Sequence, residues 1–218
     1  MRRNSSTVVV LAGSVPGEVL AAVSRPMNVA LFGPETGTGR DTGSGKDAGT
    51  GKDAGAGQDG LEAAAGALQR AGRATSPYAL VAADPLAALA ASWQAMWDVS
   101  RQQGPAGFEQ EAASALAAWR AGRFELPDYY LVLAEESSPG DDHGPDFHLG
   151  PLRSVRPHRV AFVAATEPAQ QAAGVLQALG SLRHGRWWPG LDEVIRTART
   201  FYPDSLAEGT TALAAESR

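Results

Sequence analysis

Five short apolar segments constrain the fold of this 218-residue chain more than any other feature. Each is six residues long and continuously apolar or nearly so, without the polar alternation of a half-exposed strand. Continuous runs of this length are typical of parallel strands that are buried on both faces. The five predicted strands are residues 7–12, 27–32, 78–83, 129–134 and 159–164.

The segments between these strands have apolar side chains at helical spacing. Asp84 and Pro85 are typical of a helix N-cap and first turn. The stripe that follows them predicts a buried helical face rather than a cofactor site, and it consists of Leu86, Leu89, Trp93, Met96 and Trp97. Further helices are predicted at 18–24, 61–73, 108–121, 167–182 and 191–202, and a turn or short helix at 148–155. This alternation predicts an α/β fold with a Rossmann-like open, mostly parallel five-stranded sheet and helices on both faces.

A Gly-rich repeat interrupts the predicted domain over residues 35–60. It contains four hexapeptides, TGTGRD, TGSGKD, AGTGKD and AGAGQD. A segment without apolar side chains cannot offset the entropy of ordering its backbone, about 1–2 kcal/mol per residue, so we predict a disordered insert. The GSGK and GTGK sequences lack the spacing of a phosphate-binding P-loop. The rest of residues 1–204 is predicted to form a single domain, and residues 205–218 a frayed tail.

The composition and net charge limit which binding partners and which cellular compartment we expect for this protein. The net charge of -5 gives no reason to expect nucleic acid or an anionic membrane as a partner. The chain has no cysteine, which excludes disulfides and thiolate chemistry and favours the cytoplasm. Lysine occurs only at Lys46 and Lys52, and the abundance of Ala, Gly and Arg indicates a GC-rich, bacterial genome.

The N-terminus allows two interpretations. Two arginines before an apolar stretch resemble a secretory signal, but Pro16 and Gly17 interrupt that stretch early, which favours a first strand. No apolar run approaches the roughly 20 residues that a membrane-spanning helix needs.

Ligands of doubly wound sheets bind outside the carboxyl ends of the strands, and this rule selects candidate ligand-binding residues. They are Ser14, Gly17, Asp84, Glu135 and Glu167. Ser14 and Gly17 belong to a turn that could bind phosphate, although it lacks the spacing of a dinucleotide-binding motif. Asp84 and Glu167 are possible acid–base carboxylates, and both also have an interpretation as helix-terminus residues.

A cluster of carboxylate and imidazole groups follows the fourth predicted strand. Its candidate metal ligands are Asp142, His143, Asp146 and His148. These groups suit zinc, manganese or iron, and such an ion would activate water for hydrolysis. The spacing matches no established metal motif, so a solvated surface loop is the alternative.

Arginine and tryptophan cluster near the C-terminus in an otherwise acidic chain. We predict a partner-binding surface at Arg183, Arg186, Trp187 and Trp188. These residue types are enriched at protein–protein hot spots, and they also bind phosphates and stack on bases. The alternative is that the arginines are solvated and that at least one Trp belongs to the core.

No motif is specific enough to assign a reaction, a cofactor or an oligomeric state. The sequence favours a non-catalytic, intracellular α/β domain that binds a partner protein or a small ligand. The alternatives are a metal-dependent hydrolase that uses the Asp/His segment over 141–148 and a nucleotide- or phosphate-binding protein.

Overall fold

A five-stranded parallel sheet forms the centre of the molecule. The computed structural model describes residues 6–33, 53–97, 105–133, 146–183 and 185–202. Within them, the strands are β1 (Thr7–Ala12), β2 (Val29–Phe32), β3 (Tyr78–Val81), β4 (Tyr129–Leu133) and β5 (Val160–Val163). All four neighbouring pairs are parallel, in the order β2-β3-β1-β4-β5. The predicted α/β fold with its parallel sheet is confirmed.

Helices cover both faces of this sheet. They are α1 (Gly17–Val23), α2 (Asp53–Ala71), α3 (Ala87–Ala95), α4 (Ala106–Arg120), a π-helical turn (His148–Leu152) continued by α5 (Arg153–Val155), α6 (Pro168–Gly180) and α7 (Leu191–Arg199). Helices α1 and α6 pack on one face, and α2, α3, α4, the π-helical turn and α7 pack on the other. The strands are therefore buried on both sides, which explains their continuous apolar sequences.

Successive side chains of β1 enter the two cores in turn. Val8, Val10 and Ala12 face the core that contains α3 and α4, whereas Val9 and Leu11 face α1 and α6. The predicted helical stripe is confirmed as core, since Leu86, Leu89, Trp93 and Met96 are all buried. Each such side chain contributes roughly 1.5–3 kcal/mol of burial free energy.

The central strand β1 marks the point where the winding changes face. The connection after β1 leads to α1 on one face, while those after its neighbours β3 and β4 lead to α3 and the π-helical turn on the other. Such a change opens a crevice at the carboxyl ends of the strands. The strand order differs from the 3-2-1-4-5 order of dinucleotide-binding folds. The resemblance to them is limited to the doubly wound architecture.

Helix α2 begins earlier than the sequence predicts. It starts at Asp53, so residues 53–60 of the predicted insert are helical. Once the Ala-rich part of α2 has formed, added residues need no new nucleation step, and the hydrogen bonds they gain offset part of the cost of the three glycines in this segment. The rest of the predicted insert and the tail over 205–218 lie outside the described residues.

No helix in the described ranges is long and apolar enough to span a bilayer.

Candidate functional site

A cavity of about 770 Å³ opens at the carboxyl ends of β1 and β3, at the crevice that the winding creates. Helices α2, α3 and α4 and the turn between β1 and α1 contribute to its wall. Many of the lining side chains are alanines, among them Ala83, Ala88 and Ala115. Because these side chains are short, the helices leave space between them at this end of the sheet.

The turn after β1 forms one side of the cavity and depends on a glycine. Gly13 has a φ of 92°, and a Cβ atom there would lie 2.9 Å from the carbonyl oxygen of Leu133. Only glycine adopts this conformation at such a close approach without strain. Gly13 and Val15 line the cavity, and the predicted ligand residues Ser14 and Gly17 are exposed in the same turn.

Asp84 follows β3 and fixes the opposite side of the cavity. Its Oδ1 accepts a hydrogen bond of 2.9 Å from the backbone N–H of Leu86, which closes the turn into α3. Its Oδ2 lies 2.8 Å from Nε2 of His148. The side chains of Asp84 and His148 are 8% and 7% exposed, so they form a buried ion pair on the cavity wall. The predicted N-cap role of Asp84 is wrong, because α3 begins at Ala87 with Leu86 as its N-cap, and Asp84 instead stabilises the turn before the helix and belongs to the candidate site.

The π-helical turn brings His148 to this pair. Pro151 has no N–H, so the carbonyl of Phe147 instead accepts the N–H of Leu152, five residues along, at 3.1 Å. Oδ1 of Asp146 accepts the N–H groups of His148 and Leu149 at 2.7 and 2.8 Å. The same Oδ1 lies 3.8 Å from Nδ1 of His148. The imidazole therefore has a carboxylate beside each ring nitrogen.

These two carboxylates favour the protonated form of His148. Burial lowers the pKa of His148, but the negative charge of Asp84, its hydrogen bond to the ring and the charge of Asp146 outweigh that effect. The net result is a pKa above the ordinary value of 6.5. The two carboxylates therefore favour the imidazolium form of His148, in which Nε2 donates its proton to Asp84.

Tyr130 lies beneath the ion pair on β4. Its ring centroid is 5.5 Å from that of His148, and its hydroxyl is fully buried. The hydroxyl lies near the Asp84 carboxylate, although it forms no hydrogen bond of good geometry within the described part of the chain. Burial and the nearby charge of Asp84 raise the pKa of Tyr130 well above its ordinary range, so the phenol stays neutral.

The structure does not bring Glu167 to Asp84 as a second acid–base carboxylate. Glu167 is exposed at the N-cap of α6 and makes no side-chain capping hydrogen bond. Asp84 follows β3 and Glu167 follows β5, three strands away, which is about 14 Å at normal strand spacing. The other predicted residue at this end of the sheet, Glu135, lies outside the described residues.

Two of the four candidate metal ligands, Asp142 and His143, also lie outside the described residues. The other two, Asp146 and His148, adjoin each other as described above. Among the residues that the structure describes, no group of three or more His, Asp or Glu side chains has the arrangement of a metal site. Metal binding by all four candidate ligands, Asp142, His143, Asp146 and His148, therefore stays a prediction.

The predicted partner-binding residues lie at the amino end of the sheet, away from the cavity. Trp188 is buried, donates a hydrogen bond of 2.7 Å from Nε1 to the carbonyl of Pro127, and meets the edge of Tyr130. Trp188 therefore belongs to the core, as the alternative interpretation of the sequence predicts, and not to an exposed partner-binding surface. Trp187 is 51% exposed, and Arg183 and Arg186 are exposed beside it.

Arg159 organises this segment, and the sequence did not single it out. Although only 7% exposed, it donates hydrogen bonds to three backbone carbonyls. The acceptors are Asp128 at 3.2 Å, Gly185 at 3.0 Å and Arg186 at 3.3 Å. Its guanidinium also lies 4.8 Å from the ring centroid of Tyr129 and 4.6 Å from that of Trp187. Hydrogen bonds and cation–π contacts together compensate the burial of its charge.

Comparison with known proteins adds no assignment. No protein-family model, curated protein or solved structure matches the chain.

Proposed function

We propose that this protein is a non-catalytic α/β domain that binds a small ligand at the carboxyl ends of β1 and β3. The observation that supports the proposal most strongly is the 770 Å³ cavity with the buried His148–Asp84 pair on its wall. Ligand sites typically measure about 300–1,000 Å³ and combine apolar walls with a few placed polar groups. A second cavity in the described part of the chain is much smaller, about 120 Å³.

The charges around the cavity favour a ligand with an apolar body and a cationic group. Asp84, Glu111 and Asp146 line it, and the charge of His148 is already paired with Asp84. Asp146 is one-third exposed, and its hydrogen bonds to the π-helical turn use Oδ1 only. Neither Lys nor Arg occurs among the described residues that line the cavity. An ammonium group would therefore be stabilised here, and a phosphate or nucleotide would be repelled.

The same contacts support binding rather than catalysis. A general base needs a free lone pair within hydrogen-bond reach of its substrate. His148, whose raised pKa favours the protonated form, has none in that form, because Nε2 then donates to Asp84 and Nδ1 also carries a proton. Each oxygen of Asp84 already accepts a hydrogen bond, one from protonated His148 and the other from the backbone of Leu86, and these bonds hold the carboxylate in the cavity wall.

A thermal-shift comparison tests this proposal. Primary amines with apolar bodies, such as benzylamine, are compared with the matching carboxylic acids and with nucleotides. An amine at about 100 times its Kd should stabilise the fold by about 2.7 kcal/mol and raise Tm by about 5–10 °C. Ala88→Phe, which fills the cavity, should abolish the shift. The control is Ala178→Phe, because Ala178 is also a half-buried helical alanine but packs on the other face of the sheet.

Two outcomes of this comparison would refute the proposal. One is that no amine stabilises the protein while the fold is intact. The other is that stabilisation persists unchanged in Ala88→Phe, which would place the ligand elsewhere.

We propose that the protein binds this ligand in the cytoplasm. The chain contains no cysteine and therefore none of the disulfides that are common in small secreted domains.

A further inference from the structure

A positively charged surface lies at the amino end of the sheet. We call it the arginine surface, and it consists of Arg156, Arg159, Arg183, Arg186 and Trp187. Arg159 holds the segment over 185–187 through the carbonyls of Gly185 and Arg186. The hydroxyl of Tyr129 donates a hydrogen bond of 3.0 Å to the carbonyl of Arg183. Backbone contacts thus fix this segment, and Arg183 and Arg186 are exposed.

No carboxylate neutralises these arginines within the described part of the chain. The ion pairs found there join His148 to Asp84 and Asp146, Arg196 to Asp192, and Arg199 to Glu109. Arg156 and Arg159 donate to carbonyls, which satisfy their hydrogen-bonding capacity without cancelling their charge. Four positive charges are therefore concentrated on a protein whose net charge is -5.

Trp187 provides a preorganised aromatic side chain at the centre of this surface. Arg159 lies against its ring at 4.6 Å, and Nε of Arg156 donates a hydrogen bond of 2.6 Å to its carbonyl. Despite these contacts, 51% of Trp187 is exposed. Because the ring is already held, a partner that packs on it loses less conformational entropy than it would on a mobile side chain. Held aromatic residues beside arginines are typical of protein–protein hot spots.

We propose that the arginine surface docks an acidic segment of a partner protein. The guanidinium groups of Arg183 and Arg186 suit carboxylates, which they bind through paired, charge-assisted hydrogen bonds. An apolar side chain of the same segment packs on Trp187. Nucleic acid is the less favoured polyanion, because the net negative charge of the chain repels it and the surface lacks the extended basic track that phosphate backbones require. The proposal is independent of the ligand cavity at the other end of the sheet.

Fluorescence anisotropy with a labelled hexaglutamate peptide tests this proposal on the full chain. The peptide should bind, and its binding should weaken as salt is added. Arg183→Glu combined with Arg186→Glu should lower the affinity at least about tenfold. A second peptide, in which one central glutamate of hexaglutamate is replaced by leucine, should bind more tightly than hexaglutamate, and Trp187→Ala should remove that gain. The arginine substitutions keep the hydrogen bonds of Arg159, since those use backbone carbonyls, and an unchanged Tm confirms that the fold is retained.

The matched control is Arg25→Glu combined with Arg120→Glu. Both side chains are exposed, both lie outside the arginine surface, and the pair changes the net charge by the same amount. This variant should bind the peptide like the parent protein. Absence of peptide binding, an equal loss in the control, or tighter binding of a six-nucleotide thymidine oligomer than of hexaglutamate would each overturn the proposal.

Discussion

The two ends of the same sheet use buried charge in opposite ways. At the carboxyl end, the buried charges of His148 and Asp84 neutralise each other across the end of β1, and a 770 Å³ cavity lies beside them. At the amino end, the buried charge of Arg159 is satisfied by backbone carbonyls and two aromatic rings, and the buried carboxylate of neighbouring Asp128 accepts the N–H of Val8.

This difference suggests that the buried contacts of Arg159 at the amino end mainly stabilise the fold, whereas binding depends on the exposed side chains around them and on the cavity at the carboxyl end. A guanidinium that bonds to the backbone of two separate segments holds those segments together. A side-chain pair on a cavity wall instead leaves polar groups beside space that a ligand can occupy. We therefore expect substitutions of the amino-end contacts to change mainly the free energy of unfolding, and cavity-filling substitutions at the carboxyl end to change mainly ligand affinity.

The largest expected effect is that of Arg159→Met. Methionine retains the apolar stem but removes all three hydrogen bonds to the carbonyls of Asp128, Gly185 and Arg186. The buried carbonyl of Asp128, left unsatisfied, should cost about 1–3 kcal/mol, and the two partly buried carbonyls about 1 kcal/mol each, so the free energy of unfolding should fall by about 3–5 kcal/mol. Urea denaturation measures this change. Arg186→Met, at an exposed side chain, should stay within about 0.5 kcal/mol of the parent protein. If the two variants lower the free energy of unfolding equally, the contacts of Arg159 do not stabilise the fold as we propose.

A pH-dependent effect is expected at the carboxyl end. The pKa of His148 in the folded state lies above its unfolded value, so folding favours the protonated ring. The resulting stability is fully present below a pH of about 6.5 and is lost as the pH rises through the higher folded-state pKa. Urea denaturation at a series of pH values should thus show a decline in stability above about pH 6.5 that is weaker in His148→Gln. The other three histidines are common to both proteins. Parallel curves would show that His148 is not charged in the fold.

The smallest effect is expected at an exposed pair that shares a helix with the cavity wall. Arg199 on α7 donates two hydrogen bonds, of 2.9 and 2.6 Å, to Glu109 on α4, and the hydroxyl of Tyr202 donates a third. The hydrogen bond from Arg199 holds the pKa of Glu109 below its ordinary value. Both charged side chains are more than one-third exposed, so Glu109→Gln should cost only about 0.5 kcal/mol near neutral pH. The effect should vanish as the pH falls through the pKa of Glu109. If Glu109→Gln lowers the free energy of unfolding as much as Arg159→Met, then buried charged contacts do not contribute more to stability than exposed ones in this protein.

The sequence predicts the secondary structure of this fold more completely than it predicts the site. Apolar runs identify all five strands, and the crossovers between them imply parallel pairing. The rule for doubly wound sheets then selects Asp84 as a candidate ligand residue. It does not reveal that Asp84 pairs with His148, because that contact requires β3 and β4 to flank β1, and several strand orders are compatible with the same crossovers.

Arg159 was less accessible to sequence reasoning. An arginine at the start of a strand is usually solvated, and its burial depends on carbonyls that are more than 25 residues away in the chain. Trp187 and Trp188 pose a related problem. They are adjacent in sequence and chemically identical, and only the direction of the backbone makes one exposed and the other buried.

Chemical-shift mapping on the ¹⁵N-labelled protein tests the division between the two ends most directly. In one titration the titrant is benzylamine, and in the other it is hexaglutamate. We predict that benzylamine shifts the amide signals of Gly13, Asp84 and His148 and leaves those of Arg159 and Trp187 unchanged, with the reverse pattern for hexaglutamate. If both titrants shift the same signals, or if benzylamine acts mainly at Arg159 and Trp187, the two ends do not have separate roles and the proposed ligand site is wrong.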